Sequence, residues 1–275
     1  ALPIFRSPFE RPALAVRRCL ARVQGLRHPE LAAVHREEWL ISKLLRRELT
    51  RTSNCVDVGC HIGSMLSQML MCAPEGEHVA FEPVPEKAAW LRKRFPEVQI
   101  FEIALSDRPG AVSFFVNDAR PGYSGLRRHG AGIDRYREIE IRQMRLDELL
   151  AGRRVDFVKV DVEGAETFVL RGATKLLQRC HPTVLFESTR SGLEAFGLDP
   201  RDVYDELAAL DYAVFLLDRS QGDENALSRE EFARAHEYPF RAFNFLARFA
   251  SGSGTGHVCS SPLHTLCRHD VPLHR

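Results

Sequence analysis

Three stretches of this 275-residue chain place reactive residue types at spacings that could do chemistry. The first is Asp57-Val-Gly59-Cys60-His61-Ile-Gly63, an acid and two glycines in the pattern D-x-G-x-x-x-G. Glycine at 59 permits a tight turn that a Cβ would obstruct, and Gly63 permits close approach to a strand or a ligand. Asp57 can accept hydrogen bonds from turn amides or, through water, from a cationic ligand. The spacing is not the G-x-G-x-x-G run that seats a pyrophosphate on a helix N-terminus. It suits a ligand without phosphates and with an amino-acid end to anchor. The second stretch is Phe81-Glu82-Pro83. A carboxylate closing a strand can accept from two vicinal ribose hydroxyls, each such bond worth about 1.5–3 kcal/mol. Pro83 ends the strand and aims the acid. Alone, Glu82 reads equally well as a solvated carboxylate; the glycine turn upstream favours the ribose. The third stretch is Lys159-Val-Asp161-Val-Glu163-Gly164-Ala-Glu166, with Glu187 ending a later apolar run.

These residues need a sheet edge to bring them together. Short apolar segments at 55–58, 78–82, 98–104, 155–161, 182–187, 212–217 and 241–248 read as strands. Helical stretches at 62–72, 85–95, 164–179 and 200–209 fall between them. Such alternation predicts an α/β fold, a mostly parallel sheet covered by helices on both faces. Ligands then bind beyond the carboxyl ends of the strands, where strand order reverses. Segments 111–116 and 138–145 read as an inserted hairpin or edge pair, joined by a long Gly- and Arg-rich loop. Helices at 13–24 and 30–49 precede the first strand, the second with apolar residues at helical spacing. The expected division is an N-terminal helical extension over 1–50, a ligand-binding domain over 51–250 and a disordered tail over 251–275.

With these segments in order, VDVGCHIG, AFEPVPE, EIALSD, KVDVEGAE and the later LFE at 185–187 together resemble the FkbM family of methyltransferases. The resemblance runs from about Trp39 to Asn244, and KVDVEGAE is its most specific part. It implies the seven-stranded, Rossmann-like class I methyltransferase fold, with S-adenosylmethionine as methyl donor. It also implies, in most members, an oxygen acceptor on a small molecule or sugar. His61 departs from the family pattern, where a small or amide residue is usual. Carried over, Asp57, Gly59 and Gly63 line the methionine part, Glu82 binds the ribose, and the strand end Ala104-Leu105-Ser106 lies against the adenine, with Cys60, His61 and Pro83 as further cofactor contacts.

Strand alternation puts Lys159 and Asp161 on one face, and Asp161 and Glu163 at the carboxyl edge beside the expected methyl group. Asp161, also a cofactor contact, or Glu163 could orient or deprotonate the acceptor; Lys159 reads either as catalytic or as the ion-pair partner of Asp161. Glu166 sits where an acid favours the helix dipole and reads as structural. Glu187 lies on the same edge as a substrate-binding acid. Three carboxylates there could hold a divalent ion, but nothing in the spacing demands one, and no metal is expected. The loop Pro121-Gly-Tyr123-Ser124-Gly125-Leu-Arg127-Arg128-His129 is the expected acceptor-recognition segment. Tyr123 and Ser124 offer a stacking face and a hydroxyl, Arg127 and Arg128 a grip on an anionic or polyhydroxylated substrate, and His129 an alternative base. The N-terminal helices are expected at the same mouth.

Composition narrows the partners. Lys+Arg number 38 against 37 Asp+Glu, which argues against nucleic-acid binding by bulk charge. No run approaches the about 20 apolar residues of a membrane span. Seven cysteines without C-x-x-C spacing suit free thiols in a reducing compartment, and a cytoplasmic location is expected. Two other readings remain open: a catalytically silent cofactor-binding module, and a nicotinamide-dependent oxidoreductase, which would need the missing G-x-G-x-x-G.

Overall fold

The computed structural model describes residues 29–128, 135–219, 226–238 and 240–250. The predicted helix at 13–24, the tail from 251 and His129 lie outside them. Among the described residues, ten strands form two sheets. The larger has seven strands in the order β3 (Gln99–Phe101), β2 (Val79–Phe81), β1 (Cys55–Val58), β7 (Phe157–Val160), β8 (Thr183–Glu187), β10 (Asn244–Phe249) and β9 (Tyr212–Leu216). All neighbours are parallel except β10, which runs antiparallel to both β8 and β9. This is the class I arrangement that the resemblance implied.

Alternation along the strands sorts the core onto two faces. Val56, Val58, Val158, Val160, Val184 and Phe186 pack with Leu170, Val203 and Phe232 on one side. Cys55, Phe157, Leu185, Phe215 and Leu246 pack with Ile41, Leu44, Leu45 and Leu49 on the other. Helix α1 (Pro29–Glu48) thus covers a sheet face with its C-terminal half. Farther up, Glu37 accepts from the backbone amides of Phe243 and Asn244 at 2.8 and 3.2 Å, which ties α1 to the entry of β10.

Two elements differ from expectation. The third strand stops at Phe101, and Ala104–Leu105 (β4) joins a second sheet beside β6 (Tyr136–Met144), itself antiparallel to β5 (Gly110–Asn117). β3 is an edge strand, so past Phe101 the chain is free to find its hydrogen bonds on the hairpin instead. The long helix expected at 164–179 breaks at Ala173 into α5 (Glu166–Gly172) and α6 (Thr174–Cys180). A side chain at Gly172 would overlap the carbonyl of Ser106, so α5 ends pressed against the backbone just past β4.

The sheet order reverses between β1 and β7. Their carboxyl ends, with those of β2 and β8, therefore border the crevice where a parallel sheet binds its ligand.

Candidate functional site

A cavity of about 320 Å³ opens at this reversal. Gly59, Cys60 and His61 line it from the end of β1, Glu82 and Pro83 from β2, and Ala104 and Leu105 from β4. Lys159, Asp161 and Glu163 line it from β7 and the turn beyond, Glu187 from β8, and Ser124 from the hairpin loop.

The local chain geometry explains the convergence. Gly59 has φ +76°, a left-handed backbone, and a Cβ there would overlap the carbonyl oxygen of Asp161. β1 and β7 can therefore close against each other only with glycine at this position. Gly63, also left-handed, does not line the cavity: a Cβ would lie 2.5 Å from the ring of Phe95, so its smallness lets α2 (Ser64–Cys72) pack. His61 between them is left-handed without being glycine (φ 52°), as is Glu163 (φ 56°). Such strain in bulky residues collects at functional sites.

Glu82 is held by the turn it faces. Its Oε2 accepts from the His61 amide at 2.8 Å and its Oε1 from the Val84 amide at 3.0 Å. Each oxygen keeps a lone pair for a hydroxyl partner. Burial pushes this carboxyl up to about 7, with Lys87 opposing. Burial and the charge of Lys87 push the His61 imidazole down to about 4, so it faces the cavity neutral. Its Nε2 is buried without a hydrogen-bond partner among the described residues.

At the opposite wall, Lys159 donates to Asp161 Oδ2 at 2.8 Å and lies 3.9 Å from Asp57 Oδ1. Burial disfavours the Lys159 cation, but Asp161 and Asp57 outweigh it and hold the ammonium above its ordinary range. Lys159 thus stands as a cation paired with Asp161 and close to Asp57. Asp57 itself is fully buried beneath Lys159 and does not line the cavity. Burial pushes Glu163 up to about 8, with Asp161 adding to the effect. Burial and the same neighbour raise Glu187 as well. Glu166 folds back, its Oε1 accepting from the amides of Val162 and Gly164 at 3.2 and 3.1 Å, and so fixes the turn that carries Glu163.

The hairpin loop divides. Phe115 and Gly125 exchange backbone hydrogen bonds of 2.9 and 3.1 Å, which lays Ser124 and Leu126 over the cavity. The same bridge carries the neighbouring side chains elsewhere. Tyr123 stacks under Arg120, Arg127 lies over Phe196, and Arg128 covers Phe115 and pairs with Glu138. None of Tyr123, Arg127 and Arg128 lines the cavity. Residues missed in the sequence do: Lys87 from α3 (Pro85–Arg94), and Ser64 and Met65 from α2. Lys87 follows Glu82 by five residues, in the first turn of α3, a signal that a strand-end acid can acquire a local counter-charge.

The family model for the methyltransferase FkbM domain matches residues 57–214. The chain belongs to the FkbM methyltransferase family. That assignment replaces the nicotinamide-dependent reading, and S-adenosylmethionine is the cofactor. The chain is 29% identical over 175 residues to the 2-O-methyltransferase NoeI of Sinorhizobium fredii (strain NBRC 101917 / NGR234), covering 57% of this chain and 70% of that protein. Among solved structures, methyltransferase FkbM from Methylobacillus flagellatus KT aligns at 14% identity and TM-score 0.47 over 73% of this chain, which spans only 44% of that one. An O-methyltransferase from Bacillus cereus in complex with SAH aligns at 11% identity and TM-score 0.42, over 76% of this chain and 79% of that one.

The cavity residues fit that cofactor. The volume lies in the range of small-molecule sites, and an anchored carboxylate, a glycine turn and apolar Ala104 and Leu105 share its wall. Among the described residues, no three His, Cys, Asp or Glu side chains form a metal-holding group, and no helix is long and apolar enough to cross a membrane.

Proposed function

We propose that this methyltransferase acts on a hydroxyl of a small molecule or sugar, with Glu82 gripping the ribose of the cofactor and the acids at the opposite wall handling the acceptor. The observation that carries the reading is the convergence of Asp161, Glu163 and Glu187 on one wall of a single cavity whose other wall holds Glu82. Bound S-adenosylmethionine supplies a methyl group already activated on a sulfonium. What remains for the chain is alignment and proton removal. Alignment in a near-attack geometry is worth about 7–11 kcal/mol.

An alcohol must lose its proton as its oxygen forms the new bond to carbon. Efficient proton acceptors have a pKa near the working pH. Glu163, pushed up to about 8 by burial, meets that requirement, and Glu187, also raised by burial, stands beside it on the same wall. Asp161, held in its ion pair with Lys159, orients the hydroxyl. The 2-O-methyltransferase relative supports an oxygen acceptor.

The test is methyl transfer from labelled S-adenosylmethionine to a set of sugars and small alcohols. A label that survives alkali marks an ether, and therefore a hydroxyl acceptor. A label that alkali removes marks an ester and would reject the reading. Glu163→Gln and Glu187→Gln should each lower the rate while leaving the affinity for neutral S-adenosylhomocysteine in place.

A further inference from the structure

Five large hydrophobic side chains are well exposed among the described residues, and two of them, Tyr238 (87%) and Phe240 (51%), sit in one short segment. Their rings meet edge to face at 5.9 Å, and Phe240 meets Phe243 at 5.5 Å. Solvent-facing aromatics in such a group mark a contact surface.

The position of this segment is fixed by the residue that follows Glu187. Ser188 donates its amide to the Phe243 carbonyl at 2.8 Å, and its hydroxyl meets His236 Nε2 at 2.9 Å. Both ends of the aromatic segment are thus tied to one residue. Arg190 adds an ion pair to Glu237 at 3.8 Å, and Glu37 holds the Phe243 and Asn244 amides from α1. In the sheet, Asn244 is paired directly with Glu187. The aromatic segment therefore lies beyond the carboxyl end of β8, the edge at which Glu187 enters the cavity.

We propose that Tyr238, Phe240 and Phe243 form a stacking platform for a sugar ring of the acceptor, beside the cavity mouth at Glu187. The proposal rests on the reading of the chain as a methyltransferase of sugar hydroxyls. A pyranose has an apolar face of C–H groups and a polar rim. Aromatic rings take the face, and carboxylates such as Glu187 take the rim. A ring stacked at this edge turns its hydroxyls toward the acids of the cavity. The platform also gives the acceptor a hold that the hairpin loop does not, since Tyr123, Arg127 and Arg128 point elsewhere.

The test uses saturation-transfer NMR with the methyl glycopyranosides of glucose, galactose, mannose and a 6-deoxy sugar, each with S-adenosylhomocysteine present. Wild type is compared with Tyr238→Ala/Phe240→Ala. At least one glycoside should bind wild type and lose about tenfold in affinity for the double variant, two aromatic contacts being removed. S-adenosylhomocysteine affinity and melting temperature should match wild type. The proposal is overturned if no glycoside binds wild type, or if both proteins bind it equally. It is also overturned if sedimentation shows that the double variant has lost a self-association present in wild type. Label transfer to the bound glycoside separates the two ideas. Binding lost in the variant, with no methylation by wild type, keeps the platform and rejects the sugar-methylation reading. Methylation equal in both proteins does the reverse.

Discussion

The α-carbon of Gly59 faces the backbone carbonyl of Asp161 with no room for a side chain between them. This contact closes the end of β1 onto the end of β7 and sets the spacing of the cavity. Gly59→Ala should therefore cost more than the about 1–2 kcal/mol of a left-handed non-glycine residue. Gly152 provides the control, being left-handed (φ +77°) with open space where a Cβ would stand. Gly152→Ala should cost only the conformational amount. Urea denaturation compares them; equal losses would mean that the carbonyl contact is not tight.

Lys159 answers two buried or half-buried acids, Asp57 and Asp161. Lys159→Met leaves both without their cation, a loss of about 3–5 kcal/mol when one partner of a buried pair is removed. Adding Asp57→Asn should recover part of it. A double-mutant cycle by chemical denaturation checks this, and simple additivity of the two changes would rule out the coupling.

Stability should depend on pH in a definite direction. Burial raises Glu82 and Glu166 to about 7 and Glu163 to about 8, against an ordinary 4.5. Below about 4.5 both states carry the protons and the raised values cost nothing. Above it the unfolded chain ionises first, so stability falls as pH rises, until the folded acids ionise near 7–8. Melting temperature of the ligand-free protein should therefore decline from about pH 5 to about pH 8, and Glu163→Gln should decline less. A stability that rises through this range would contradict the burial of these acids.

The same acids make binding proton-linked. A cationic ligand in the cavity favours their ionised forms and lowers their pKa. S-adenosylmethionine, with its sulfonium, should release more protons on binding near neutral pH than neutral S-adenosylhomocysteine. Calorimetry in buffers of different ionisation enthalpy reads the difference. Equal proton release by the two would place the sulfonium away from Glu163 and Glu187.

The strands were legible because buried parallel strands are continuous apolar runs, as in Phe157–Val160 and Thr183–Glu187. The strand-end acids Glu82, Asp161 and Glu187 were legible for a related reason, since a carboxylate closing an apolar run falls at the sheet edge. What sequence could not give was pairing at a distance. Ala104–Leu105 left the third strand because its partner, β6, lies far along the chain. The Phe115–Gly125 bridge decided which loop side chains face the cavity, and no local pattern announces it. Gly63 shows a subtler limit: its type was legible as a need for smallness, but the ring it makes room for, that of Phe95, was not.

Titration of S-adenosylmethionine into wild type and Glu82→Ala by calorimetry tests the central claim most directly. Glu82, anchored by the amides of His61 and Val84, should carry the ribose through charge-assisted bonds worth about 1.5–3 kcal/mol each. Binding to wild type and a loss of at least about tenfold in the variant, with the fold retained, is the predicted result. Equal affinity for the two proteins would contradict it.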